Sequence, residues 1–162
     1  MHKAMTPEER QQLIDRYAGS YEALQIALFQ LGSYDLDSAP AGEWTPRQII
    51  HHLADAEVIR SARLRLLLGA ERPQIPGFSE HEFAQRMDYT RPLDASWGVL
   101  KAATEANLEL LSTVKEADWQ RAGYLEGGER FTVEDWLERA AAHCYEHVSQ
   151  LQSYVAVKQG RE

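Results

Sequence analysis

The sequence predicts an all-α protein, a four-helix bundle with a long loop between the second and third helices. Three observations carry this. The chain has 162 residues, 44% of them hydrophobic, enough for one core and therefore one domain over residues 1–162. Four segments carry apolar residues at steps of three and four, and none alternates as a strand would. Three of those segments open on a written start signal. Four amphipathic helices have to bury their stripes against one another, and a bundle does so most economically.

The start signals are "TPEE" at Thr6, "TPRQ" at Thr45 and "TVED" at Thr132. In each, the hydroxyl is placed to cap an orphan N–H, and the acidic or amide side chain three residues on reaches back. Pro7 and Pro46 sit at the first helical position, where a missing N–H costs nothing. The third helix starts more weakly at "RPLDASW", with Asp94 as the expected cap. The stripes run through Leu13, Tyr17, Tyr21, Leu24, Leu28 and Leu31 in the first helix. Ile49, His52, Ala56, Ile59, Leu66 and Leu67 line the second, and Trp97, Leu100, Leu108, Leu111 and Val114 the third. The fourth has Val133, Trp136, Ala140, His143, His147, Leu151 and Tyr154. The loop from Gly69 to Asp94 is unusually long for a bundle, and its "SEHE" box predicts a short helix within it.

Charge and composition exclude several function classes. A net charge of -8 repels phosphate backbones and there is no basic stripe, so nucleic acid is not an expected partner. Arg60, Arg63 and Arg65 read as ordinary helix charge. The single cysteine, Cys144, allows no internal disulfide and fits a reducing compartment. With no apolar signal core and no apolar run long enough to span a bilayer, a cytoplasmic location without membrane contact is expected.

His143 and His147 are the residues that packing alone does not explain. Four residues apart, they diverge by about 40° on a helix and share the core-facing stripe with Trp136, Ala140 and Tyr154. That spacing suits a metal site taking two imidazoles, or a hydrogen-bonded structural pair. In the second helix His51 and His52 are adjacent and cannot both face inward. His52 shares its face with Ile49, Ala56 and Ile59 and is the inward one. His51 lies among Arg47, Asp55 and Arg65 and reads as a rim residue paired with Asp55. His2 falls in the N-terminal segment and His81 in the long loop. Three imidazoles from two helices suit zinc or nickel, with iron, cobalt and copper also compatible, and three protein ligands leave room for a reactant. His143 to His147 also spells H-x-x-E-H, the inverted zincin pattern. Its Glu146 points off the stripe toward solvent, and Glu162 is the only carboxylate downstream, so the match is accidental. Cys144 also lies off the histidine direction and reads as a small core residue. The four tryptophans read as packing residues, Trp119 also as a pocket wall. Arg63 and Tyr154 are secondary candidates for substrate contact.

Two stretches, "EWTPRQIIHHLADAE" and "FTVEDWLERAAAHCYEHVSQLQSY", together resemble the DinB/YfiT-like superfamily of metalloenzymes. Its members read W-[ST]-x-x-E/Q-x-x-x-H-L-x-D-x-E and later H-x-x-x-H with x-x-Q following. The resemblance extends over most of the chain, including the long middle loop. It implies a four-helix bundle, commonly a homodimer, with a metal held by His52, His143 and His147. It also implies a small-molecule substrate and a low-molecular-weight thiol such as bacillithiol, since relatives include thiol-dependent transferases, a mycothiol-dependent isomerase and hydrolases. Cys144, Tyr145 and Glu146 between the paired histidines depart from the commonest pattern. The function expected is a metal-dependent thiol S-transferase or hydrolase. The rivals are a non-catalytic, stress-related metal- or ligand-binding bundle and a metal-free dimerisation domain.

Overall fold

A computed structural model describes residues 4–32 and 35–159; His2 and Glu162 lie outside them. Four long helices form the bundle: α1 (Pro7–Leu31), α2 (Pro46–Gly69), α4 (Asp94–Leu111) and α5 (Val133–Gln159), with the short α3 (Glu80–Arg86) in the long loop. Around the bundle the neighbours run α1, α5, α2, α4 and back to α1. Helices consecutive in sequence, α1 with α2 and α4 with α5, therefore stand on diagonals, and their connections must cross the bundle ends. The long α2–α4 connection joins neighbours. It needs none of its length for crossing, and it is spent covering one face.

The three threonine boxes form as the sequence predicts. Thr6 exchanges bonds of 2.7 and 3.2 Å with Glu9, Thr45 of 2.8 and 3.2 Å with Gln48, and Thr132 of 2.8 and 3.0 Å with Asp135. Each satisfies donors that a helix start otherwise leaves orphaned. Ser79 caps α3 through the Glu82 amide. The expectation at Asp94 is corrected: it is the first helical residue, Leu93 takes the cap position, and no side chain caps the start.

The expectation of no strands also needs correction. β1 (Ala122–Tyr124) and β2 (Arg130–Thr132) pair antiparallel. Three residues are too few to show an alternating pattern; the signal was the turn. Gly127 and Gly128 adopt φ of 94° and 88°, a left-handed pair that hairpin turns require and that glycine adopts without steric cost. The long loop joins this ribbon, with Ile75 donating to Tyr124 O at 2.8 Å and Tyr124 donating to Pro73 O at 2.9 Å. A Cβ on Gly123 would fall 2.6 Å from Pro73 O and from Ile75, so glycine permits this close approach. The hairpin thus fixes where the loop sets out from α2.

The core divides into two clusters. One gathers Tyr17, Leu64, Leu67, Phe131, Trp136 and Leu137 at the hairpin end. The other gathers Leu24, Ile49, Leu53, Val148, Leu151 and Tyr154 at the opposite end. Between them lies a buried polar layer. Glu57, only 2% exposed, accepts from the Tyr17 hydroxyl, from Asn107 Nδ2 at 2.9 Å and from Arg60 at 2.8 Å. Arg65 donates to Asn107 Oδ1 at 2.9 Å. Arg60 and Arg65 are therefore structural partners rather than loose helix charge. No helix among the described residues is long and apolar enough to cross a membrane.

Candidate metal centre

α2 and α5 pack directly, and their facing stripes bring His52, His143 and His147 together. One nitrogen from each ring lies within 4.8 Å of the other two. His52 Nε2 and His143 Nε2 are 3.0 Å apart. Two imidazole nitrogens each about 2.0–2.1 Å from one zinc ion stand roughly 3.0–3.4 Å apart, so the spacing fits a shared cation. His52 is fully buried, whereas His143 and His147 are partly open, and access to the site is from their side.

Hydrogen-bond partners assign the tautomers. The His147 Nδ1–H donates to Gln150 Oε1 at 2.9 Å, leaving its Nε2 lone pair free. Gln150 is held in turn, donating to Glu43 at 2.7 Å and to the Tyr154 hydroxyl at 2.9 Å, while Tyr154 donates to Trp44 O. Such supporting bonds orient metal-binding imidazoles. His143 Nδ1 accepts from Arg60 at 2.6 Å, so a neutral His143 carries its proton on Nε2, aimed at His52 Nε2. That leaves the His52 proton on Nδ1, a buried nitrogen without a hydrogen-bond partner. His52 and His147 are thus ready to bind a cation, whereas His143 must first move or lose its Nε2 proton.

Burial, then the charges of His147 and Arg60, push His52 down to about 3. Burial, then Arg60 and the other two histidines, push His143 down to about 2. Both rings are neutral near pH 7, the state a metal needs. The same shifts set an acid sensitivity. Below about pH 6.5 the unfolded chain takes up protons that the folded, metal-free chain refuses. Stability present above that pH is lost as pH falls toward the depressed values, by about 2 kcal/mol per ring between pH 7 and 5. Thermal melts of chelator-treated protein should show Tm several degrees lower at pH 5. The fall should shrink when His52 is replaced by Asn, and an unchanged Tm contradicts the assignment.

The long loop closes over the trio. Phe78 stacks near His52 at 6.5 Å, and Trp44, from the α1–α2 connection, packs edge-on at 5.0 Å. Glu80, in the first turn of α3, places Oε1 3.8 Å from His52 Nε2 and 3.7 Å from His143 Nε2. Sequence reasoning did not single out Glu80; nothing distinguishes one loop carboxylate from another until the loop is folded back. Gln150 stood in the recognised pattern without a role.

The rim assignment of His51 is corrected. It is fully buried because the loop covers it: Nε2–H donates to Arg91 O at 2.9 Å, Ser96 donates to Nδ1 at 2.8 Å, and Tyr89 stacks on the ring. Asp55 instead accepts from the Tyr89 hydroxyl. Cys144 is buried in the core cluster, bonded to Ser20 O, with its thiol pushed up to about 12 mainly by burial, a poor nucleophile and a poor ligand. Glu146 is exposed, as expected. Arg63 pins the loop through Pro76 O at 2.8 Å, and Tyr154 serves Gln150 and Trp44. Trp119 is buried in the hairpin-end core, under Arg10. His81 accepts from Gln85 in α3 and does not join the trio.

Fold and site together define a class: a four-helix bundle with a three-histidine candidate metal centre between α2 and α5. The sequence profile of the DinB superfamily matches residues 16–151, and the chain belongs to that superfamily. An Oceanobacillus iheyensis protein named "putative metal-dependent hydrolase" is 33% identical over 99 residues, 60% of this chain and 58% of that one. A Halalkalibacterium halodurans protein of the same name is 28% identical over 109 residues, 67% and 64% of the two chains. The chain thus spans less than two thirds of these relatives' lengths. A Bacillus licheniformis relative, named likewise, is 27% identical over 94% of this chain and 89% of its own. Among solved structures, YfiT from Bacillus subtilis, described as having "an unusual four-helix bundle topology", superposes with a TM-score of 0.87. The match covers 99% of this chain and 93% of YfiT at 23% identity, a likeness of fold.

Proposed function

We propose that the chain is a metal-dependent hydrolase in which His52, His143 and His147 hold one divalent transition-metal ion and Glu80 accepts the proton of the attacking water. The observation carrying this is the convergence of three imidazole nitrogens within 4.8 Å under a carboxylate 3.7–3.8 Å from two of them. The relatives' names, and the description of YfiT as a "probable metal-dependent hydrolase", support the same reading. An all-imidazole donor set suits zinc or nickel, with iron, cobalt and copper also compatible. When bound, such an ion polarises the substrate and makes water acidic enough to attack near neutral pH. The chain's own residues do the rest. Gln150 fixes the His147 ring, Trp44 and Phe78 exclude bulk water from the His52 side, and Glu80 Oε1 takes the proton.

Glu80→Gln should lower kcat by about 10²-fold, within the range for a positioned general base, while bound metal stays near one per chain; unchanged turnover removes Glu80 from the mechanism. The test of the whole reading is metal-depleted protein, reconstituted and screened on ester, amide and phosphoester substrates. A parallel screen offers low-molecular-weight thiols such as bacillithiol with electrophiles, because the thiol transfer implied by the sequence resemblance would use the same imidazoles. Metal-dependent hydrolysis supports the proposal. Thiol transfer without hydrolysis replaces it, and metal binding with no turnover in either screen favours a sequestering role.

The homodimer implied by the resemblance is also proposed here. Phe29 is 88% exposed and Ile26 51% exposed, three residues apart on α1, an apolar pair that a second copy would cover. Sedimentation should give twice 18.4 kDa, falling to one chain in Phe29→Asp; a monomer at all concentrations refutes it.

A further inference from the structure

Beyond His143 the candidate centre opens into a cavity of about 520 Å³ whose walls carry three arginines, Arg60 and Arg63 from α2 and Arg139 from α5. We infer that this cavity is a subsite for an oxyanion, a carboxylate or phosphoryl group on an apolar body, which holds a substrate with its scissile bond toward the three histidines. The inference rests on the hydrolase reading for its scissile bond and on geometry alone for its charge preference.

The arginines are unequally committed. Arg60 is shared between Glu57 and His143. Arg63 uses Nε on Pro76 O, its guanidinium 5.8 Å from the Phe78 ring centre, so its terminal nitrogens remain for a ligand. Arg139 lies 5.0 Å over the Phe131 ring and, among the described residues, has no hydrogen-bond or ion-pair partner. A guanidinium supported on an aromatic face is preorganised, and its planar fork matches carboxylate and phosphate oxygens two at a time. Burial, then the charges of Arg60 and Arg139, hold Arg63 below its ordinary value, as expected where like charges share one volume.

Three carboxylates share these walls, and Glu57 pairs with Arg60, so Arg63 and Arg139 are, among the described residues, the lining guanidiniums without an ion-pair partner. Glu80 is turned to the histidines, while Glu138 and Glu146 on α5 are exposed to solvent. Phe78, Phe131 and Trp136 supply the apolar wall. A small anion with an aromatic or aliphatic body matches both halves, whereas a polyanion would meet the exposed carboxylates.

The test is binding, so it does not depend on turnover. Zinc-loaded and metal-free protein are titrated by calorimetry with N-benzoylglycine, phenyl phosphate and the neutral N-benzoylglycinamide. The anionic probes should bind at least 10-fold more tightly than the neutral amide, in both forms of the protein. Arg139→Gln, a change at an exposed side chain, should erase about 10-fold of that preference, with Arg63→Gln as a second variant and melting curves confirming the fold. Which anion binds better separates carboxylate from phosphoryl substrates. Equal binding of the neutral probe overturns the inference, as does a preference that appears only with zinc and survives both substitutions. Anion preference without any hydrolysis would leave the subsite standing and remove the hydrolase.

Discussion

His147→Ala should leave a folded bundle that has lost its metal. One imidazole of three supplies roughly a third of the binding free energy, about 3–5 kcal/mol on the scale of zinc–protein sites, so Kd should rise by about 10²–10⁴-fold. The fold should survive, because the ring is only partly buried. Competition against a chromophoric chelator reads the affinity, and circular dichroism reads the fold. Gln150→Ala provides the graded control. It removes the acceptor that sets the His147 tautomer without removing a ligand, and should cost about 10-fold, the low end for such supporting bonds. Unchanged affinity in His147→Ala would mean the cation, if bound, sits elsewhere.

Glu57→Ala should be the most destabilising single change in the bundle interior. It strands the Tyr17 O–H and Arg60 Nη1 at once and takes one of three acceptors from Asn107 Nδ2, which keeps Ser61 and the Tyr17 oxygen, where Tyr17 and Asn107 have almost no access to water. Removing one partner from a buried charged network costs about 3–5 kcal/mol, which for a chain of this size lowers Tm by roughly 10 °C or more. Tyr17→Phe, which removes one donor and keeps the ring packed on Trp136, should cost about 1–2 kcal/mol. Equal losses in the two variants would place the network's contribution in the Tyr17–Glu57 bond alone, since both variants remove it and keep the ring contact. Because Glu57 also holds Arg60, which faces His143, the network ties the bundle's stability to the geometry of the candidate centre.

What the sequence made legible follows from the range of each interaction. Thr6, Thr45 and Thr132 announced their helices because a capping box is complete within four residues. His52, His143 and His147 could be placed on inward faces because helical periodicity fixes direction without knowledge of the partner helix. The face argument failed at His51 for a definite reason. Its neighbours along α2 are polar, yet the residues that bury it, Tyr89, Arg91 and Ser96, come from some forty positions later. Glu80 was invisible on the same grounds. Asp94 misled because a carboxylate near a helix start is equally favourable one residue inside it, where it meets the positive end of the helix dipole. The hairpin escaped because two three-residue strands leave no periodic trace, only the Gly127–Gly128 turn between them.

The most direct test is X-ray absorption at the metal edge of protein loaded with one equivalent of zinc. The spectrum should show three imidazoles at about 2.0–2.1 Å with the remaining scatter from oxygen, and one imidazole fewer in His52→Ala. Sulfur scattering near 2.3 Å, which would have to come from Cys144, or a spectrum indifferent to loss of His52, would contradict the site described here.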